Sequence, residues 1–346
     1  MAVGRTNARA ASGGASFSLV VTVESGAAVT ATNGSKTVSG TSSGGTCTLT
    51  LPEAGTWTVS ATKGGQSSGT KTVSVVDTYA VTLSFISSTL NDNDWSVIRA
   101  VSDAGNGSDY WAVGDRKAVT LNGTVGHCTF SNTSTYAFII GFNHNSGYEG
   151  GNRIHFQFAK TALSGGTDVC FIDSSYNSTV SATGYFSMNS SNTNVGGWSS
   201  SQMRNTICGT SLSSYSGTFI AALPSALRSV LKTVTKYTDN AGNSSTAAAN
   251  VTATTDVIFL LAEYEVFGTI ARANTNESAK QAQYAYYSAG NSKVKYQHTA
   301  TSTAANWWLR SPYSGNAAYF VRVNASGSVS YGDAYGSRGF APGFCV

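Results

Sequence analysis

The sequence predicts an α+β chain that is mostly β: a small β-sandwich followed by a larger mixed domain with two or more helices. Three observations predict it. Period-two runs rich in Val and Thr, separated by Gly/Ser turns, fill residues 17–86. From Trp95 onward, short apolar runs alternate with aromatic, irregular polar loops. Within that second part, Leu223–Thr238 and the stretch after Ser199 carry helical rather than strand spacing. A length of 346 residues suits two domains of ordinary size.

Residues 1–16 are expected to form a flexible arm. Arg5 and Arg9 are followed by no apolar stretch, so a secretory signal is not expected. The sandwich spans 17–86, with strands at Phe17–Glu24, Thr46–Leu51, Gly55–Ala61, Lys71–Val76 and Tyr79–Phe85, and Trp57 in its core. In composition this block resembles the immunoglobulin-like or carboxypeptidase-regulatory-like modules that serve as spacers. Residues 87–94 are expected to link it to a domain at 95–346. There, Leu223–Thr238 places Leu223, Leu227, Val230, Leu231, Val234 and Tyr237 on one helical stripe, with Pro224 in the first turn. A shorter helix is expected from Ser199, with Gln202 completing a capping box, ending before Gly209.

Composition narrows the function. Charged residues are 11% of the chain, well below the roughly 25% usual in globular domains. The net charge is +4, with Lys and Arg scattered, so no nucleic-acid partner is expected. No window is apolar for the ~18 residues of a membrane helix, so no membrane insertion is expected. Cys47, Cys128, Cys170, Cys208 and Cys345 are odd in number and form no C-x-x-C pair, which favours buried thiols. His127, His144, His155 and His298 lack metal-ligand spacing, and no metal or cofactor is expected. Gly40–Gly44 matches G-x-S-x-G but leads into a strand, not the helix a nucleophile elbow requires. Asp92-Asn93-Asp94 reads as turn chemistry. Asp115-Arg116-Lys117 and Glu263-Tyr264-Glu265 read as solvated faces or structural ion pairs. No catalytic residue is assigned.

The C-terminal stretch 307–346 is the most informative. Apolar or glycine positions (Ala317, Phe320, Val321, Val323, Gly327, Val329, Ala334, Gly339, Phe340) interleave with a second set. That set is Tyr313, Ser314, Gly315, Asn316, Ala318, Tyr319, Arg322, Asn324, Ser328, Ser330, Tyr331, Gly332, Asp333 and Tyr335. It has the chemistry of an antibody paratope, with rigid amphipathic Tyr beside adaptable Ser, Gly and Asn. These residues are the candidate ligand-binding surface.

Trp307-Trp308-x-Arg310-Ser311-Pro312, the scattered polar positions and the ending Gly339-Phe340-Ala341-Pro342-Gly343-Phe344 resemble the variable region of proteins diversified by retroelements in phages and gut bacteria. Upstream, Tyr110-Trp111-x-Val113-Gly114-Asp115-x-Lys117, Gly196-Gly197-Trp198 and Leu223-Pro224 resemble the domain that carries this ending. The resemblance covers roughly residues 92–346. Phe340 departs from it, standing where Val is frequent. Adenine-directed diversification of Asn codons cannot produce Lys, Glu, Gln, Met or Trp, and none of these occurs between Tyr313 and Val346.

The resemblance implies a C-type-lectin-like fold, with Trp307, Trp308, Phe320 and Phe344 packed beneath exchangeable side chains. It implies a non-enzymatic adhesion protein on a phage tail or bacterial surface, binding a protein or glycan receptor on a bacterial surface, with a homotrimer favoured for avidity. Two alternatives stand beside it. One is a structural virion protein whose Tyr/Ser/Gly block meets a neighbouring subunit. The other is an enzyme of the formylglycine-generating fold family, whose chemistry needs paired reactive cysteines that Cys345 has no neighbour to supply.

Overall fold

The computed structural model describes residues 16–173 and 186–346; of the arm expected at residues 1–16, all but Ser16 lies outside the described residues. Strand accounts for 41% of the chain and helix for 18%, so it is α+β and mostly β. It divides into two compact units between Ser87 and Ser88.

The first unit has seven strands: β1 (Phe17–Thr22), β2 (Ala28–Asn33), β3 (Lys36–Thr41), β4 (Thr46–Leu51), β5 (Gly55–Lys63), β6 (Gln66–Val75) and β7 (Thr78–Thr82). They form a three-stranded sheet, β4-β1-β7, and a four-stranded sheet, β3-β2-β5-β6. Alternate residues of the strands meet in one core around Trp57, with Leu19, Val21, Val29, Leu49, Val59 and Val75. This is the period-two pattern at work, because successive side chains leave a strand on opposite faces. β2 and β3 escape sequence reading because their inward positions are Val, Ala and Gly, too weak an alternation to stand out. Gly40 is required in β3: a Cβ there would meet Cys47 Sγ at 2.9 Å. Ser42 of the G-x-S-x-G match is enclosed; its Oγ accepts from Ala27 N and donates to the Glu24 carbonyl. It closes a turn.

The second unit starts with a segment expected to be linker. Leu90–Asp92 instead forms one 3₁₀ turn with Leu90 buried. Lys117 Nζ donates to the Asn91 and Asn93 carbonyls, tying the turn down. Helix α1 (Trp95–Asp103) follows, burying Trp95, Ile98 and Val101. The main sheet is built from β8 (Arg116–Val125), β9 (Cys128–Phe142) and β10 (Ile154–Lys160), and is completed by two later strands. A short β11 (Val169–Cys170) leads toward Gly197–Ser200, which is helical; Met203–Cys208 then forms one wide π-type turn. The expected helix from Ser199 is therefore split at Ser201. Ser199 Oγ donates to the Gly196 carbonyl, and Ser201 Oγ caps Arg204 N.

The expected helix Leu223–Thr238 is overturned. Only Ser225–Arg228 is helical, and Val234–Asp239 is strand β12, paired with β13 (Val251–Asp256). The closing TVTKYT is β-branched at four of its six positions, which suits a strand better than a helix. The consequence is chemical. A helical stripe would turn Lys236 away from Val234, whereas the strand period puts Val234, Lys236 and Thr238 on one buried face.

β14 (Ile258–Phe259), β15 (Lys295–Gln297), β16 (Ala300–Ala305), β17 (Trp307–Pro312), β18 (Tyr319–Val323), β19 (Val329–Asp333) and β20 (Gly343–Cys345) complete the unit. The main sheet runs β14-β20-β10-β9-β8, and β17-β18-β19 form a separate antiparallel meander. Phe156, Phe158 and Phe344 pack ring against ring with Trp95 in the core.

Candidate binding surface

The surface rests on β17, whose six residues are all buried. Trp307 Nε1 donates to the Lys293 carbonyl and Trp308 Nε1 to the Phe186 carbonyl, so neither indole is left unpaired. Arg310 is fully enclosed and holds Glu265 through two nitrogens, at 2.5 and 2.8 Å, while also donating to Thr238 Oγ1 and the Leu260 carbonyl. Lys236 Nζ joins Glu265 (3.1 Å), Glu149 (2.6 Å) and Tyr284 OH (2.7 Å). Burial opposes ionisation of Glu265, but Arg310 and Lys236 outweigh it and hold this carboxyl well below its ordinary range. Burial dominates at Glu149, pushing it up to about 7. Such a network stabilises a fold only when every charge is met, and here the Arg310–Glu265 fork is complete.

The loop between β17 and β18 is fixed by one side chain. Asn194, fully buried, donates from Nδ2 to the carbonyls of Tyr313 (3.2 Å), Asn316 (3.0 Å) and Tyr319 (2.7 Å). Its Oδ1 accepts from Asn243 N. On that backbone three tyrosines stand side by side. Tyr313 and Tyr331 stack with centroids 4.3 Å apart and rings 1° from parallel; Tyr319 and Tyr331 stack at 5.4 Å. The Arg272 guanidinium lies 5.4 Å from the Tyr331 ring centre. Tyr331 is 37% exposed, and Tyr313, Tyr319 and Tyr335 are half-buried.

The remaining candidate residues fall into place around this stack. Gly315, Asn316 and Ser328 are exposed; Ser314, Ala318, Arg322, Asn324, Ser330 and Asp333 are half-buried. Gly332 is the exception: it is buried, and a Cβ there would meet Trp308 at 3.3 Å, so it belongs to the underlayer. Conversely Ala317, Gly327 and Val329, read as underlayer, are half-exposed. The candidates also do not form one patch. β18 and β19 pair Val321 with Tyr331 and Arg322 with Ser330, and alternation sends these two rows to opposite faces. Tyr319 and Tyr331 share one face; Arg322 and Ser330 share the other.

Residues 170–346 match a family described as a domain of unknown function, DUF6273. The chain belongs to the DUF6273 family. No curated protein and no solved structure matches it. The DUF6273 match contains Asn194, Lys236, Glu265, Arg310 and the whole tyrosine face. It omits β8, β9 and β10, although β20 of the DUF6273 stretch pairs with β10. The folded unit therefore exceeds the matched one.

Elsewhere in the second unit, His144, Glu149 and Glu265 place ligand atoms within 4.8 Å of one another, a grouping their sequence spacing hides. Lys236 Nζ is bonded to both carboxylates, so the pair's charge is already met by cations. Burial and Lys236 also push His144 down to about 3, so the ring is neutral. All five cysteines are free and buried. Cys345 lies 3.3 Å from His155 Nδ1, and burial pushes its thiol up to about 12. Glu263, read with its neighbours as a solvated face or a structural ion pair, is buried and accepts from the backbone of Ala271, Arg272 and Ala273. Among the described residues no helix is long and apolar enough to cross a membrane. Sequence reasoning missed Asn194, Lys236, Arg272 and Arg338. Asn194 sits in a Ser/Asn-rich run where nothing distinguishes it from turn residues.

Proposed function

We propose that this chain binds a ligand through the tyrosine face of Tyr313, Tyr319 and Tyr331, as a retroelement-diversified receptor-binding protein of a phage tail or bacterial surface. In this reading the second unit is a C-type-lectin-like domain, and the first an immunoglobulin-like spacer. The observation that carries it is three stacked, partly exposed rings on a backbone held from beneath by buried side chains. Stacked tyrosines are already ordered, so binding costs little side-chain entropy. Their flat faces and hydroxyls suit a protein or glycan receptor on a bacterial surface. The C-terminal motif and the absence of Lys, Glu, Gln, Met and Trp after Tyr313 support diversification. The high thiol pKa of buried Cys345 supports binding over thiol catalysis, because the thiolate is the reactive form.

The test pairs binding with stability. Tyr313→Ala with Tyr331→Ala is expected to abolish attachment of the purified, fluorescently labelled chain to host-range panels of bacteria. The melting temperature should fall by only a few degrees, since exposed positions tolerate change within about 1 kcal/mol. Attachment that survives the double change, on cells that bind the parent chain, refutes the reading. A near-identical, Asn-rich copy of the last forty or so codons beside a reverse-transcriptase gene is the genomic counterpart.

A further inference from the structure

On the other face of the meander stands Arg322, and beside it, beyond β19, Arg338; among the described residues neither forms an ion pair. Arg322 on β18 pairs across the sheet with Trp308 on β17 and Ser330 on β19. Its Nε is enclosed and without a hydrogen bond. Arg338 is 9% exposed; among the described residues its Nε is likewise enclosed and without a hydrogen bond, and its Nη1 donates only to the Ser337 carbonyl, at 2.6 Å. Both border the same indole. The Arg338 guanidinium carbon lies 6.0 Å from the Trp308 ring centre, and a Cβ at Gly332 would touch both Trp308 and Arg322 Cδ. A Cβ at Gly336 would meet Arg338 Nη1 at 3.2 Å, so glycines at 332 and 336 make room for the two guanidiniums beside the indole.

The charges are close enough to matter. Burial first, and then the charge of Arg338, lower the Arg322 pKa to about 10; Asp333 opposes the shift. Yet Asp333 forms no ion pair with either arginine among the described residues, and its Oδ1 accepts from Asn192 Nδ2 instead. An enclosed guanidinium with an unmet N–H is costly, and a second cation beside it adds to the cost. An oxyanion removes both penalties at once, since its oxygens accept from the planar fork of each arginine.

We propose that Arg322 and Arg338, set over Trp308, form a binding site for a single oxyanion group, the carboxylate, sulfate or phosphate of an acidic ligand. The site is separate from the tyrosine face and does not depend on it. The full chain is titrated with sodium sulfate, phosphate and acetate at constant ionic strength made up with chloride, by calorimetry and by thermal unfolding. At least one anion is expected to bind saturably at one site, with Kd on the order of 1 mM, and to raise Tm with concentration. The preferred anion separates the sources: acetate stands for a planar carboxylate, sulfate and phosphate for tetrahedral groups. Arg322→Gln should weaken that binding about tenfold or more, as loss of one charge-assisted contact does. In chloride alone it should leave Tm unchanged or raised, because a like charge is gone. Tyr313→Ala should leave anion binding intact, so this site and the tyrosine-face reading fail independently. Absence of saturable binding by all three anions, or equal binding by Arg322→Gln, overturns the proposal. Arg338→Gln serves as the second variant where it folds.

Discussion

Asn194→Ala tests whether one buried amide holds the surface in shape. The side chain makes four hydrogen bonds: three from Nδ2 to carbonyls of the β17–β18 connection and one to Oδ1 from Asn243. A typical intramolecular hydrogen bond contributes about 1 kcal/mol net, and an unmet buried partner costs about 1–3 kcal/mol. The Tyr319 and Asn316 carbonyls keep partners, because they also accept from Tyr313 N and Tyr319 N. The Tyr313 carbonyl and Asn243 N lose theirs, which gives roughly 2–5 kcal/mol for Asn194→Ala. Asn194→Asp should be worse: it retains the acceptor toward Asn243 but turns a charged oxygen toward three carbonyls. The assay is urea unfolding of the second unit, followed by its buried tryptophans. NMR ring-current shifts of Tyr313 and Tyr331 report whether the stack survives. A loss under about 1 kcal/mol, or an Asp variant as stable as the parent, refutes the assignment.

Two further outcomes follow from the buried network. Arg310→Met leaves Glu265 enclosed with Lys236 as its remaining cation and should cost about 3–5 kcal/mol, read by the same unfolding curve. A loss below 1 kcal/mol would show that the fork contributes little. The pH profile of second-unit stability should be nearly flat from pH 6.5 to 4.5 and then fall steeply. Burial holds His144, His155 and His298 below their ordinary 6.5, so unfolding takes up protons there. Burial raises Glu149 and Glu277 to about 7, and raises Glu263 above 4.5, so the folded state is the one holding those protons. The two sets oppose each other. Below pH 4.5 the unfolded chain protonates its glutamates as well, including Glu265, so the unfolded state binds the more protons and stability falls with pH. A stability that climbs as pH falls from 4.5 to 3.5 contradicts these shifts.

The sandwich was legible wherever Val, Leu or Trp marked every second residue, and illegible at β2 and β3, where Ala and Gly stood in for them. In the second unit the C-terminal stretch was legible at its large apolar core positions, Phe320, Val321, Val323 and Phe340, and not at Ala317, Gly327 and Val329, which are half-exposed. Gly332 was misplaced, since a glycine looks the same under an indole as on a loop. The misread helix has a deeper cause. Leu223, Leu227, Val230 and Leu231 are buried, but only Ser225–Arg228 is helical, so the spacing marked the buried side without fixing the element. What followed was decided by pairing with β13, a partner twelve or more residues away. Missing the strand also hid Lys236, and with it the ion network, because a lysine on a presumed helix is read as solvated.

That network explains why the C-terminal stretch can combine fixity with freedom. The backbone of β18 is held by pairing with β17 and β19, and its approach is held by Asn194. None of these contacts uses the side chains of Tyr313, Tyr319 or Tyr331. Changing them alters a stack, worth about 0.5–1.5 kcal/mol per aromatic pair, and leaves the chain path alone. Arg310, Trp308 and Gly332 are different: each is bounded on its inner side by a partner that would lose a hydrogen bond or gain a clash. The boundary between replaceable and irreplaceable positions is therefore drawn by what a side chain supports, and position 332 shows that it does not follow exposure guessed from residue type. A library randomised at 313, 319 and 331 should return mostly folded proteins, whereas one extended to 332 should not.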